Sequence, residues 1–240
     1  MESKDILQSF VQAREAGDFT DFAFVCEGQT ISVHKIIICT QSPVFRAACT
    51  GSFKEASSQV YNMDAYSLST VQRMVDYFYT GDYAEESEQG FADDDIDHLS
   101  CLSIHVAMFA LAHTYDINGL EVLSAKKYSR RLSQDQDVYS LFATIPDIYN
   151  LTPSSSRGLR DEVLSFARQK LPILLTNSST KEAFDQLTDK SPEFIKEILD
   201  TFLRNPIMGT CYHCNDKLVP VEALQCRCMK CGKGGARHLV

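Results

Sequence analysis

Five of the chain's nine cysteines fall within CYHCNDKLVPVEALQCRCMKC, residues 211–231. Cys211-x-x-Cys214 and Cys228-x-x-Cys231 form two knuckles, each able to present two thiolates to one cation. Four sulfurs at about 2.3 Å from Zn²⁺ close a tetrahedral structural site with no position left open for catalysis. Cys226 makes a Cys-x-Cys with Cys228 and competes with it for the fourth place, whereas His213, inside the first knuckle, is expected to point away from the ion. Thiol–disulfide exchange is the other chemistry such pairs support. It needs a Cys-x-x-Cys at a helix N-terminus beside a βαβ pattern, and the sequence around 211–231 offers no such setting. The expectation is a structural Zn²⁺ held by Cys211, Cys214, Cys228 and Cys231.

A third use of a cysteine-rich tail is to read nucleic acid. Residues 204–240 hold six basic and two acidic side chains, a net +4, which leaves −13 for the rest of a chain whose total is −9. The acidic body repels phosphate backbones, so only the tail is a nucleic-acid candidate. Four zinc-bound thiolates would reduce its charge to about +2. It lacks both a finger helix with base-reading side chains and an aromatic–basic interleaving, and a solubilising basic surface is the simpler reading.

Elsewhere the chemistry-bearing residues are dispersed. His34 shares its segment with no nucleophile or carboxylate pair, so it reads as a structural histidine at a strand-to-helix junction. Asp21 and Lys35 read as fold-stabilising polar residues and His113 as a core histidine. Cys26, Cys39, Cys49 and Cys101 sit in apolar segments and behave as small hydrophobes. No catalytic site is expected.

The elements that would position these residues follow from periodicity. Ile6, Leu7, Phe10 and Val11 form one face of a first helix that Ser3 caps and Gly17 stops. In DFAFVCEGQTISVHK, Phe22 and Phe24 alternate with smaller residues, Glu27-Gly28-Gln29 turns, and Ile31 and Val33 resume the alternation, which makes a β-hairpin. HKIIICTQ is a short apolar helix. SPVFRAAC has Ser42 as cap and Pro43 at the first helical position. QVYNM is a short strand, and Leu68, Val71, Met74, Val75 and Phe78 mark a helix ending at Gly81. Residues 85–97 carry seven acidic and no basic side chains, a solvated loop. Two helices between Leu99 and Leu132 break at Asn118-Gly119, and three more helical patterns lie near 138–145, 159–171 and 192–203. At 44% hydrophobic residues the chain can bury a core, yet no apolar run approaches the roughly 18 residues of a membrane span. MESKDILQSF lacks the basic and apolar regions of a signal peptide. The expected setting is intracellular, nucleus or cytoplasm, with reduced thiols.

Together these motifs resemble a BTB/POZ domain: Asp21 before a hydrophobic hairpin, His34-Lys35 opening a helix, Ser42-Pro43-x-Phe45, Phe53-Lys54-Glu55, YFYTGDY and ALAHTYDINGL. The resemblance covers residues 18–130 and implies an α+β fold, a small mixed sheet flanked by helices. It also implies protein–protein interaction as a homodimer; Ile6, Leu7, Phe10 and Val11 need a surface to cover them, within the chain or on a partner, and are the expected dimer interface. Family members that bind a cullin scaffold carry a hydrophobic-x-Glu motif, which Phe53 and Glu55 match. The organisation expected is an N-terminal helix (1–17), the BTB/POZ domain (18–130), a helical extension (131–205) that resembles the region after this domain in fungal proteins, and a Cys₄ zinc tail (206–240). The function implied is a non-enzymatic adaptor that recruits a client to a cullin-based ubiquitin ligase; a transcriptional regulator whose tail contacts DNA or chromatin proteins is the alternative.

Overall fold

The computed structural model describes residues 3–85, 101–135, 137–205, 208–211, 213–214, 219–220, 230–233 and 236–238. Most of the acidic loop, together with Cys226 and Cys228, lies outside them. The chain divides into two compact units, Met1–Gln136 and Asp137–Val240.

The first unit runs α1 (Ser3–Ala16), β1 (Phe22–Cys26), β2 (Gln29–Val33), α2 (Lys35–Gln41), α3 (Pro43–Thr50), α4 (Lys54–Ser58), β3 (Val60–Asn62), α5 (Leu68–Thr80), α6 (Cys101–Thr114) and α7 (Asn118–Asp135). Its sheet has the order β2-β1-β3, with β2 antiparallel and β3 parallel to β1. The hairpin closes tightly because Glu27 (φ 50°) and Gly28 (φ 72°) both take the left-handed conformation that a two-residue type I′ turn requires. This sets Cys26 opposite Gln29, so Phe22, Phe24 and Cys26 all point into the core. An α+β architecture results, as the sequence predicts.

Two short motifs hold the layers together. The Asp21 carboxylate, just before β1, accepts the Lys35 N–H at 2.7 Å and caps α2 from a distance. Ser42 is fully buried. Its hydroxyl accepts the Phe45 N–H at 3.1 Å and donates to the Tyr115 carbonyl at 2.6 Å, tying α3 to the end of α6. The Phe45 ring then stacks on Tyr115 (4.7 Å, 15°) and meets Phe24 at 4.9 Å. The Ser-Pro-x-Phe motif is thus a cap and a core anchor in one turn. On α5, Ser67 caps the start, Gly81 (φ 75°) ends the helix, and Val71, Met74, Val75 and Phe78 are buried.

The helix break expected at Asn118-Gly119 falls earlier, at 115–117, because Asp116 (φ 51°) takes the left-handed turn and Asn118 opens α7. His113 is not a core residue. At the end of α6 it is over a third exposed and faces Glu121 at 3.4 Å, whereas His105, two turns back, is fully buried. The five-residue α4 has no periodic signal and was not expected.

The second unit comprises α8 (Val138–Leu151), α9 (Gly158–Leu174), α10 (Ser178–Lys190) and α11 (Pro192–Arg204), followed by β4 (Met208–Cys211), β5 (Val219–Pro220) and β6 (Ala236–His238). Leu141, Ile145, Leu159, Val163 and Phe194 are buried where α8, α9 and α11 meet. Arg160 is buried with them. It donates to the Thr152 carbonyl (2.8 Å) and to Glu193 (2.8 Å), and lies 4.3 Å over the Tyr149 ring. α10 is an addition to the expected helices: Asn177 caps it through the Ser179 and Thr180 N–H groups. The three tail strands form an antiparallel sheet in the order β5-β4-β6. Among the described residues no helix is long and apolar enough to cross a membrane.

Candidate functional site

Phe53 follows the α3 C-terminus and occupies the N-cap of α4, with extended backbone (φ −81°, ψ 157°). A phenylalanine cannot cap, and it does not fold back into the core: it is 61% exposed. Glu55 lies in the first turn of α4, where the helix dipole favours a carboxylate. Its side chain is only 19% exposed, with Lys54 4.0 Å away. Gln59 closes the helix in left-handed conformation and donates its N–H to the Glu55 carbonyl at 2.8 Å. The result is an aromatic ring held out beside a positioned carboxylate.

Gly51 supports that arrangement, and the sequence reading missed it beyond its place as a helix stop. A Cβ at Gly51 would stand 2.5 Å from the Ala47 carbonyl oxygen and 3.1 Å from the Phe53 ring. The Phe53 ring therefore rests on a bare stretch of backbone. The signal available in the sequence was a glycine two positions before an exposed aromatic.

On α1, Ile6, Leu7 and Phe10 are 42–44% exposed, whereas Val11 packs partly buried against the core of its own unit. Arg14 anchors the helix to α5, pairing with Asp76 at 3.7 Å and lying 5.3 Å over the Tyr79 ring. The helix is seated by Val11 and Arg14 and offers Ile6, Leu7 and Phe10 to solvent.

Neither buried histidine has the surroundings of a catalytic base. His34 uses both ring nitrogens: Nε2 lies 2.8 Å from the Asp18 carbonyl oxygen and Nδ1 2.6 Å from the Tyr79 hydroxyl. His105 meets the Tyr83 hydroxyl through Nδ1 at 2.8 Å, and its Nε2 is buried without a partner among the described residues. Burial holds His105 down at about 4, so it is neutral at physiological pH. Beside it Lys127, also buried, donates to the Tyr83 carbonyl (2.7 Å) and pairs with Asp82 (2.6 Å). A shallow cleft of about 280 Å³ between α2–α3 and the start of α7 is lined by Thr40, Pro43, Arg46, Tyr77, Asp116 and Gly119, and contains no nucleophile–base pair. Burial also pushes the Cys49 thiol up to about 12, with the Cys39 side chain beside it, so Cys49 stays protonated.

In the tail, the structure brings together three of the four predicted thiols. The Cys211, Cys214 and Cys231 sulfurs all lie within 4.8 Å of one another, with Cys211 to Cys231 at 3.4 Å. Cys211, at the end of the middle strand β4, is buried. The backbone N–H groups of Cys214 and His213 donate to its sulfur and, with the Cys231 and Cys214 thiols, hold it down at about 6. His213 is exposed.

Residues 10–132 match the model of the BTB/POZ domain. TD and POZ domain-containing protein 2 of Mus musculus is 25% identical over 141 residues, 59% of this chain and 35% of its own length. Kelch repeat and BTB domain-containing protein 4 of Homo sapiens is 32% identical over 109 residues, 44% of this chain and 20% of its own. The chain thus spans between a fifth and about a third of these curated relatives. Among solved structures, the BTB domain of zebrafish PATZ1 aligns over 53% of this chain and 92% of its own, with 13% identity and a TM-score of 0.41. The motifs around Asp21, Ser42, Phe53 and Tyr115 that build the first unit thus lie inside a match spanning half of the sequence, and the chain belongs to the BTB/POZ domain family.

Proposed function

We propose that this chain is a protein–protein adaptor whose BTB/POZ unit docks a helical scaffold of the cullin class through Phe53 and Glu55, and so brings a client to a ubiquitin ligase. The observation that carries the reading is the exposure of Phe53 on a fixed helix start. Its core-facing neighbours Phe45, Ala48 and Cys49 are buried, while Phe53 stands out with a part-buried carboxylate next to it. An aromatic anchor with a polar group at its edge is how binding hot spots are built; truncating one costs at least about 2 kcal/mol. The exposed Ile6, Leu7 and Phe10 support a dimer that covers the free half of α1. Neither role needs bond chemistry, in keeping with a family whose members act mainly as adaptors.

The test is a titration of the purified full chain against a cullin N-terminal domain. Phe53→Ala is expected to weaken binding by about 30-fold or more, and Glu55→Lys comparably. A wild-type chain that is folded and dimeric but does not bind overturns the cullin assignment.

A further inference from the structure

The described strands of the tail sheet are short. β4, β5 and β6 are four, two and three residues long, and a segment of this size buries too little surface to fold by hydrophobicity alone. What does converge is sulfur. Cys211 ends the central strand, Cys214 follows it in a turn, and Cys231 arrives from the far end of the tail to within 3.4 Å of Cys211.

Three features of this cluster are those of a metal knuckle. First, tetrahedral thiolates at about 2.3 Å from a zinc ion stand about 3.8 Å apart, and the Cys211 and Cys231 sulfurs at 3.4 Å, with all three within 4.8 Å of one another, are compatible with that spacing. Second, the His213 and Cys214 amides turn inward to the Cys211 sulfur. Donors aimed at a ligand sulfur are what fixes a metal-bound thiolate. Third, Cys231 is followed by Gly232 in left-handed conformation (φ 69°). That turn carries the chain off the ligand with no Cβ penalty. A structural disulfide would need the two sulfurs at about 2.05 Å and would leave the third thiol without a function.

We propose that Cys211, Cys214 and Cys231 are three ligands of one structural zinc ion, and that this ion, rather than an apolar core, holds the β5-β4-β6 sheet. Because β4 pairs with both other strands and ends in a ligand, the ion fixes the one strand on which the sheet depends. Each thiol that binds releases its proton to solvent. Sequence spacing offers Cys228 or Cys226 as the fourth ligand, and the experiment distinguishes them. The proposal stands independently of any partner of the BTB/POZ unit.

The test uses the full chain, reduced, stripped of metal and titrated with Co²⁺, followed by absorption and then by displacement with Zn²⁺. The expected result is a single equivalent of Co²⁺ with sulfur-to-cobalt charge-transfer bands and intense tetrahedral d–d bands, abolished by Zn²⁺. Cys211→Ser and Cys231→Ser should lose the bands. Cys214→His should retain a tetrahedral spectrum shifted to shorter wavelength, which a role in packing alone would not produce. Of Cys226→Ser and Cys228→Ser, the one that loses charge-transfer intensity identifies the fourth ligand. Absence of charge-transfer bands in the reduced wild-type chain overturns the proposal. So does a native mass two hydrogens short with no metal, when peptide mapping places the disulfide between Cys211 and Cys231.

Discussion

The Tyr79 hydroxyl lies 2.6 Å from His34 Nδ1 and 2.9 Å from the His34 backbone N–H. His34 Nε2 faces the Asp18 carbonyl, which only accepts, so Nε2 carries the proton and Nδ1 accepts from Tyr79. The hydroxyl therefore donates to the ring and accepts from the backbone of one residue. This clamp joins the start of α2 to α5, across the end of the β-hairpin.

Tyr79→Phe should accordingly leave two buried polar groups of His34 without partners. A loss of about 2–3 kcal/mol is expected, read as a lower urea midpoint with unchanged slope. A change below about 0.5 kcal/mol would show that solvent replaces the hydroxyl.

Acid should weaken the first unit through His105. Burial is the main cause of its lowered value; Lys127, Arg130 and Arg131 push the same way, Glu85 opposes them, and Tyr83 contacts the ring. The unfolded chain takes up a proton on this residue below pH 6.5, the folded chain only near 4. Stability from this group is thus complete above 6.5 and declines as the pH falls toward 4, by about 2 kcal/mol at pH 5. Denaturant unfolding at pH 7 and pH 5 measures the loss. His105→Gln should remove that share of the slope, and an unchanged slope in the variant would assign it to other groups.

The histidines also show what the sequence could and could not reveal. His34 reads as structural from its place between strand and helix, and both its ring nitrogens are hydrogen-bonded there. His113 is expected in the core and is instead partly exposed, because α6 is apolar nearly all round and presents no polar face to set its orientation. The hairpin, α3 and α5 were legible through residues that act locally: Glu27-Gly28, Ser42-Pro43, Gly81. By contrast, α10 has a single strong cap and few apolar residues, and α4 is shorter than any periodicity. The spacing of the cysteines made a shared site legible, and three of them meet; the support Gly51 gives Phe53 depends on a chain path that no spacing encodes.

Gly51→Ala tests the platform under Phe53 without touching the ring's chemistry. The added methyl meets a backbone oxygen and the ring edge. The α3–α4 turn must shift, so on the proposed docking the affinity for a cullin domain should fall by about tenfold, or 1.4 kcal/mol, with the oligomeric state unchanged. Undiminished affinity would mean that the position of Phe53 is not what the partner reads.

In the second unit, Arg160→Met should be costly although the volume is kept. It deprives the Thr152 and Tyr149 carbonyls of a donor and leaves Glu193 and Glu197 without their buried cation. Because Glu193 is half exposed and Glu197 keeps Arg157 at 2.9 Å, the cost is mainly that of the carbonyls left without a donor, about 2–3 kcal/mol. Hydrogen exchange of the α8, α9 and α11 amides should accelerate accordingly, and Arg160→Lys should recover only part of the protection because a single ammonium cannot span both carbonyls and a carboxylate.

The hydrogen bond from Ser42 to the Tyr115 carbonyl joins residues 73 positions apart, and it has a consequence for how the domain is made. Contacts this distant slow folding because a long loop must close before they form. During synthesis the hairpin, α2 and α3 emerge well before the segment that completes their core. Until residue 115 has left the ribosome, Phe45, Tyr61 and Tyr66 lack the ring that packs against them. A nascent chain stalled short of that point would display an aromatic cluster suited to chaperone capture, so the domain becomes self-sufficient in a single late step.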